Sequence, residues 1–178
     1  MGVSAEAAET VLEGVRRYAE ALDRPLRPTS FDLDVALHSA QSSLAPSIAG
    51  NGATIESGPL PRVWGDLVQL SALFQELLSN SLRFRAADPP VIRIASLDTD
   101  PANWVIAVTD NGLGIPPAAV DRIFRPFGKV SPNSGAGMGL AICRRIAEVH
   151  GGAIYAAPRT EGAEIRLSLP RPRSEPRP

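Results

Sequence analysis

The sequence predicts a two-layer α/β sandwich, a mixed sheet covered by helices on one face. Amphipathic helical segments alternate with short runs rich in β-branched and aromatic residues. Several of those runs stand a turn apart, as hairpin strands do. With 178 residues, 44% of them hydrophobic, the chain can bury one sizeable core and has no room for a second large domain.

Residues 5–22 (AEAAETVLEGVRRYAEAL) read as a helix, because Val11, Leu12, Val15, Tyr18, Ala19 and Leu22 recur at three- and four-residue spacing. Pro25 and Pro28 end it. Residues 31–49 read as a second amphipathic helix, with Asp32 near its start and Gly50-Asn51-Gly52 stopping it. Ala53–Glu56 and Arg62–Trp64 are expected as short strands around the GPLP turn. Asp66 then opens a long helix to about Arg85. VIRIAS (91–96) and WVIAVT (104–109) read as strands, followed by a glycine-containing loop stretch over 110–136. A helix from about Gly137 to His150 leads into two further strands, GGAIYAA and EIRLSLP. The Pro/Arg-rich end, PRPRSEPRP, is expected to be disordered.

Composition excludes several classes. Eighteen basic and 19 acidic residues leave a net charge of -1, which argues against nucleic-acid binding by bulk charge. One cysteine allows no disulfide framework, and no Cys/His cluster suggests a metal site. Apolar runs fall far short of the roughly 20 residues a membrane span needs. Met1–Arg17 lacks a signal-peptide pattern, so a cytoplasmic, reducing setting is expected.

Three segments bear polar or glycine residues in patterns that suit chemistry. At about 100° per residue, Glu76, Asn80 and Arg83 fall within an arc of roughly 60° on the long helix. Taken alone, such an arc is simply a solvated face. Asp110 ends a strand and precedes Asn111-Gly112-Leu113-Gly114-Ile115, which suits a carboxylate accepting from a base's exocyclic amine with backbone packed against the ring. DNG is equally a common turn. Gly135-Ala136-Gly137-Met138-Gly139-Leu140 puts glycines at the mouth of a helix, where free N–H groups and the helix dipole suit a phosphate. Rossmann and P-loop spacings do not fit. Three weak signals in this order are together a strong one.

In that order they resemble the ATP-binding catalytic domain of bacterial sensor histidine kinases, a branch of the GHKL superfamily with the Bergerat fold. ELLSNSLRF resembles the family's N box, DNGLGIP its G1 box, IFRPFGKV its F box and GAGMGLAICRRIAEVHGG its G2 box. The likeness runs from about Phe31 to Leu169, and its wording is similar to that of phytochrome-type kinases. It implies ATP and Mg²⁺ as cofactors. Asn80, with Glu76, would hold Mg²⁺; Asp110 would accept from adenine, with Gly112, Gly114 and Ile115 shaping the pocket. Gly135, Gly137, Met138, Gly139 and Leu140 would form the phosphate end, and Arg83 and Lys129 would balance phosphate charge. Phe124 and Phe127 would anchor the ATP lid, although Phe124 equally suits core packing.

The resemblance also divides the chain. Residues 1–28 would be the end of a dimerisation and phosphoacceptor hairpin, 29–170 the catalytic domain, and 171–178 a tail. His38 and His150 are the histidines present, and neither lies in a phosphoacceptor context. The expected partners are therefore a histidine-bearing dimerisation domain in cis or trans, a response regulator, and a second copy through the N-terminal helix, whose apolar stripe is expected to lack a partner within the sandwich. The chain is expected to be part of a longer kinase or a gene remnant. Three departures stand out. Glu76 replaces the usual Asn, as in hydrolysing cousins where a Glu activates water; Glu161-Gly162-Ala163 replaces the usual Gly-Thr; and the segment between Phe127 and Gly135 is short. The competing readings are a stand-alone anti-sigma-type protein-serine kinase and a GHKL ATPase or nucleotide-gated interaction module.

Overall fold

The computed structural model describes residues 5–128 and 136–171. In chain order these form α1 (Ala5–Asp23), β1 (Thr29–Asp32), α2 (Leu33–Ser43), α3 (Ala45–Gly50), β2 (Thr54–Ser57), β3 (Arg62–Gly65) and α4 (Leu67–Arg83). There follow β4 (Val91–Leu97), β5 (Asn103–Asp110), a 3₁₀ turn at Pro117–Ala119, α5 (Gly139–Val149), β6 (Ala153–Ala156) and β7 (Glu164–Pro170).

The main sheet has the order β2-β4-β5-β7-β6, with β2 parallel to β4 and the other neighbours antiparallel. Alternation decides which face is covered. Ile92 and Ile94 on β4, and Ile165, Leu167 and Leu169 on β7, are buried, whereas Arg93 points out to pair with Glu56 at 2.8 Å. The covered face receives α4, whose Asp66 cap accepts from the Val68 and Gln69 N–H groups and starts the helix where the apolar run begins. Leu70, Leu73, Phe74 and Leu78 are fully buried there. Each such side chain contributes about 1.5–3 kcal/mol of burial. From α5, Ile142, Cys143, Ile146 and Ala147 join the same core, and the sandwich and its mixed sheet are as expected. Among the described residues no helix is long and apolar enough to cross a membrane.

Three expectations about elements are corrected. The segment 31–49 is not one helix: Phe31 and Asp32 belong to β1, and the helix breaks at Leu44, just before Ala45-Pro46. Pro46 has no N–H to give the Ser42 carbonyl and its ring would crowd that carbonyl, so α2 cannot run on. Pro is tolerated in the first turn of α3. The strands flanking GPLP do not pair with each other. β2 joins the main sheet, whereas β3 pairs antiparallel with β1 in a separate two-stranded sheet. Finally, α1 does have a partner: Tyr18 packs against the core and Gly14 is buried against Met138, while Leu12 (68% exposed) and Val15 (41%) face outward. Of the expected tail, 172–178 lies outside the described residues; Arg171 sits 4.1 Å over the Trp104 ring and bonds Asp98 at 2.9 Å.

Candidate functional site

The polar arc of α4 faces a cleft, not open solvent. Glu76, Asn80 and Arg83 line a cavity of about 410 Å³ with Gly137, Met138, Gly139 and Leu140 from the mouth of α5. Gly139 lets the two helices meet: a Cβ there would lie 2.5 Å from Glu76 Oε2 and 3.6 Å from Asn80 Nδ2. Met138, the N-cap of α5, offers no side-chain acceptor to the first N–H groups of the helix, which suits them to a ligand. Glu76 is 8% exposed and forms an ion pair with Arg17, delivered by α1 from 59 positions away.

A second, narrower slot opens at the end of β5. Its lining includes Leu77, Ser81, Val108, Asp110, Gly114, Ile115 and Ile165. Asp110 is tightly positioned. Its Oδ2 accepts from the Ser81 hydroxyl at 2.8 Å, and its Oδ1 accepts from the Gly112 N–H at 2.9 Å and the Ala163 N–H at 3.1 Å. A carboxylate has about four acceptor sites, so the protein fills three and leaves one. Gly162 makes this possible. It takes φ of 65°, and a Cβ on it would overlap the Asp110 carbonyl oxygen. The slot and the cleft are neighbours with a shared wall, since Asn80, Phe84, Ile123 and Leu140 line both.

The expected site residues therefore converge in part. Glu76, Asn80, Arg83, Gly137, Met138, Gly139 and Leu140 share the cleft; Asp110, Gly114 and Ile115 share the slot. Gly112 packs beneath it, where a Cβ would lie 2.5 Å from the Phe84 carbonyl oxygen. Phe127 lines neither cavity; it is 55% exposed with φ of 61°. Phe124 is buried in the core. Lys129 and Gly135 lie outside the described residues. Sequence reasoning missed Ser81, Ala163 and Arg17. Ser81 had a signal, following Asn80 directly with its hydroxyl on an otherwise apolar face; Arg17 had none, because its partner is distant in sequence.

The oxygen set in the cleft suits a hard cation. Among the described residues no group of three or more His, Cys, Asp or Glu could hold a metal unaided. A Glu and an Asn one helical turn apart match the way magnesium is bound, by one or two protein oxygens plus substrate phosphates.

A family model described as histidine kinase-, DNA gyrase B-, and HSP90-like ATPase matches residues 65–173. Cyanobacterial phytochrome A of Nostoc sp. is 35% identical over 166 residues, covering 91% of this chain and 22% of the relative. The phytochrome-like protein Cph1 of Synechocystis sp. matches at the same identity and coverage. The chain thus spans less than a quarter of the length of these relatives. Among solved structures, the catalytic domain of histidine kinase ThkA is 26% identical with a TM-score of 0.69, covering 81% of this chain and 95% of that one. Full-length ShkA in complex with AMPPNP shares the fold, with a TM-score of 0.76 at 24% identity, over 92% of this chain and 36% of that one.

Proposed function

The chain belongs to the histidine kinase-, DNA gyrase B- and HSP90-like ATPase family, and from that premise we propose that it binds ATP with magnesium and acts as the catalytic domain of a sensor histidine kinase. One observation supports this most: the Asp110 slot adjoins the cleft at the mouth of α5 and shares four lining residues with it, the adjacency that a base and its phosphates require.

The remaining acceptor site on Asp110 takes the adenine amine, and Leu77, Val108 and Ile165 close on the ring. The N–H groups at the start of α5 take the phosphates, aided by Arg83. Asn80 and Glu76 would hold magnesium, which supplies charge neutralisation among the phosphate oxygens. Phosphoryl transfer then rests mostly on positioning and electrostatics, and Asn80, Gly139 and the α5 N-terminus supply the fixed geometry. The acceptor is a histidine on a dimerisation helix, in cis or trans. A response regulator follows it, and a second copy pairs through the outward Leu12 and Val15 face of α1.

Calorimetry with ATP and magnesium tests the reading. Heat of binding is expected below millimolar nucleotide; no heat at millimolar ATP would sink it.

A further inference from the structure

Helix α1 does more than lean on the sandwich. It supplies Glu9, Glu13 and Arg17 to the lining of the cleft. Arg17 pairs with Glu76, the carboxylate beside Asn80. One turn earlier Gly14 sits on the entrance to α5, where a Cβ would be 3.0 Å from Met138 Cγ and 3.1 Å from Ala136 Cβ. One helix face therefore touches both the acidic and the glycine side of the cleft.

The charges set the sign of the coupling. Of the three charged residues a docked α1 adds to the cleft lining, Glu13 is held by Arg16 at 2.8 Å and Arg17 by Glu76, which leaves the carboxylate of Glu9. Glu76 cannot give the same oxygens to Arg17 and to a magnesium ion, so magnesium arriving with a polyphosphate competes with the Arg17 pair, while Glu9 repels the phosphates. We propose that α1 is a nucleotide-responsive clasp: Arg17 is the positioning residue that docks the helix on Glu76, and phosphates arriving with magnesium release it. This rests on the ATP reading above. The adenine slot lies apart, with no residue of α1 in its lining. A ligand without phosphates should be indifferent to the clasp.

Linkage makes the test reciprocal. Spin labels at Glu20→Cys on α1 and Val35→Cys on α2 give a distance in the full chain; both positions are exposed, and native Cys143 is buried. That distance should lengthen on saturation with ATP and magnesium and stay put with adenosine. Arg17→Ala should lengthen it without ligand and tighten ATP binding about fivefold or more, the scale of ordinary coupling. Arg17→Lys should restore most of the docking. Glu9→Gln with Glu13→Gln should tighten ATP, leaving adenosine affinity within twofold. Adenosine binding also serves as the fold check for each variant. A distance unmoved by ATP, or Arg17→Ala binding ATP equally or more weakly, would overturn the clasp with the ATP reading intact. If neither adenosine nor ATP binds any form, the ATP reading falls and takes the clasp with it.

Discussion

The Ser81 hydroxyl donates to Asp110 Oδ2 at 2.8 Å, tying the last turn of α4 to the end of β5. With the Gly112 and Ala163 N–H groups on Oδ1, it fixes the carboxylate plane before any ligand arrives. Preorganisation of this kind confines the free lone pair to one direction, which favours a donor on the ligand.

Asp110→Asn should therefore fold and lose selectivity. The amide oxygen can keep the two backbone N–H groups, which leaves an NH₂ facing the adenine amine, donor against donor. ATP affinity should fall about tenfold or more, toward that for GTP, with Ser81→Ala giving a smaller drop. Competition binding of ATP and GTP reads this out; undiminished ATP preference in Asp110→Asn would place the base elsewhere.

Gly162→Ala should be among the most damaging small substitutions. It asks a residue at φ of 65° to leave its preferred regions and drives a methyl into the Asp110 carbonyl oxygen. A loss of more than about 2 kcal/mol is expected in urea unfolding, with Asp110 displaced. Its neighbour Glu161→Ala, on the same exposed turn, should cost little.

These two sites mark where sequence reading ends. Helices α4 and α5 and strands β4 and β5 were legible because their apolar periodicity is long and their caps, Asp66 and the 137–139 glycines, are local. The break at Leu44 was missed because amphipathic periodicity continues across it, and Pro46 outranked that pattern. Pairing of β1 with β3 was missed because adjacency in sequence favours hairpins. In the site, the N-box, G1 and G2 residues were readable from spacing and family likeness. Ala163 and Arg17 were not, since they act through a backbone N–H and a contact 59 residues distant.

His150 should make stability depend on mild acid. Its Nε2 accepts from the Asp66 N–H at 3.0 Å, and its Nδ1 donates to the Ile146 carbonyl at 2.7 Å, so the neutral ring bridges the start of α4 and the end of α5. Burial pushes its pKa below the ordinary value, against the Ile146 carbonyl and the Asp66 charge, which favour the cation. The unfolded chain thus takes up the proton first. Stability should be full above the unfolded value near 6.5 and decline as pH falls through it toward the lowered folded value. Urea midpoints at pH 7.5 and 5.5 should differ for the native chain and differ less for His150→Gln.

Cys143 should be chemically silent in the folded protein. Its thiol is fully buried between α5 and α4, 3.6 Å from the Leu73 carbonyl, and burial pushes its pKa far up. The thiolate is the reactive form, so a thiol-specific reagent at pH 8 should react only as fast as the chain unfolds. Rapid stoichiometric labelling in native buffer would show that the α4–α5 seam opens.

Glu76 decides between phosphotransfer and hydrolysis. A general base toward water needs a free lone pair aimed at that water, and such bases typically contribute about 10²–10⁴-fold. Glu76 lies with Oε2 under Gly139 at the mouth of α5, beside Asn80, whatever the state of its pair with Arg17. That arrangement suits a ligand to a cation held over the phosphates better than a base with a water of its own. The expected result for Glu76→Gln is a loss of the magnesium-dependent part of ATP affinity. The ratio of affinities with and without magnesium should collapse toward one, a comparison in which any release of α1 enters both measurements. Partner-free ATP turnover should be slow in the native chain and change little in the variant. Fast turnover that vanishes in Glu76→Gln with the magnesium ratio preserved would make the chain a hydrolase, with Glu76 its base.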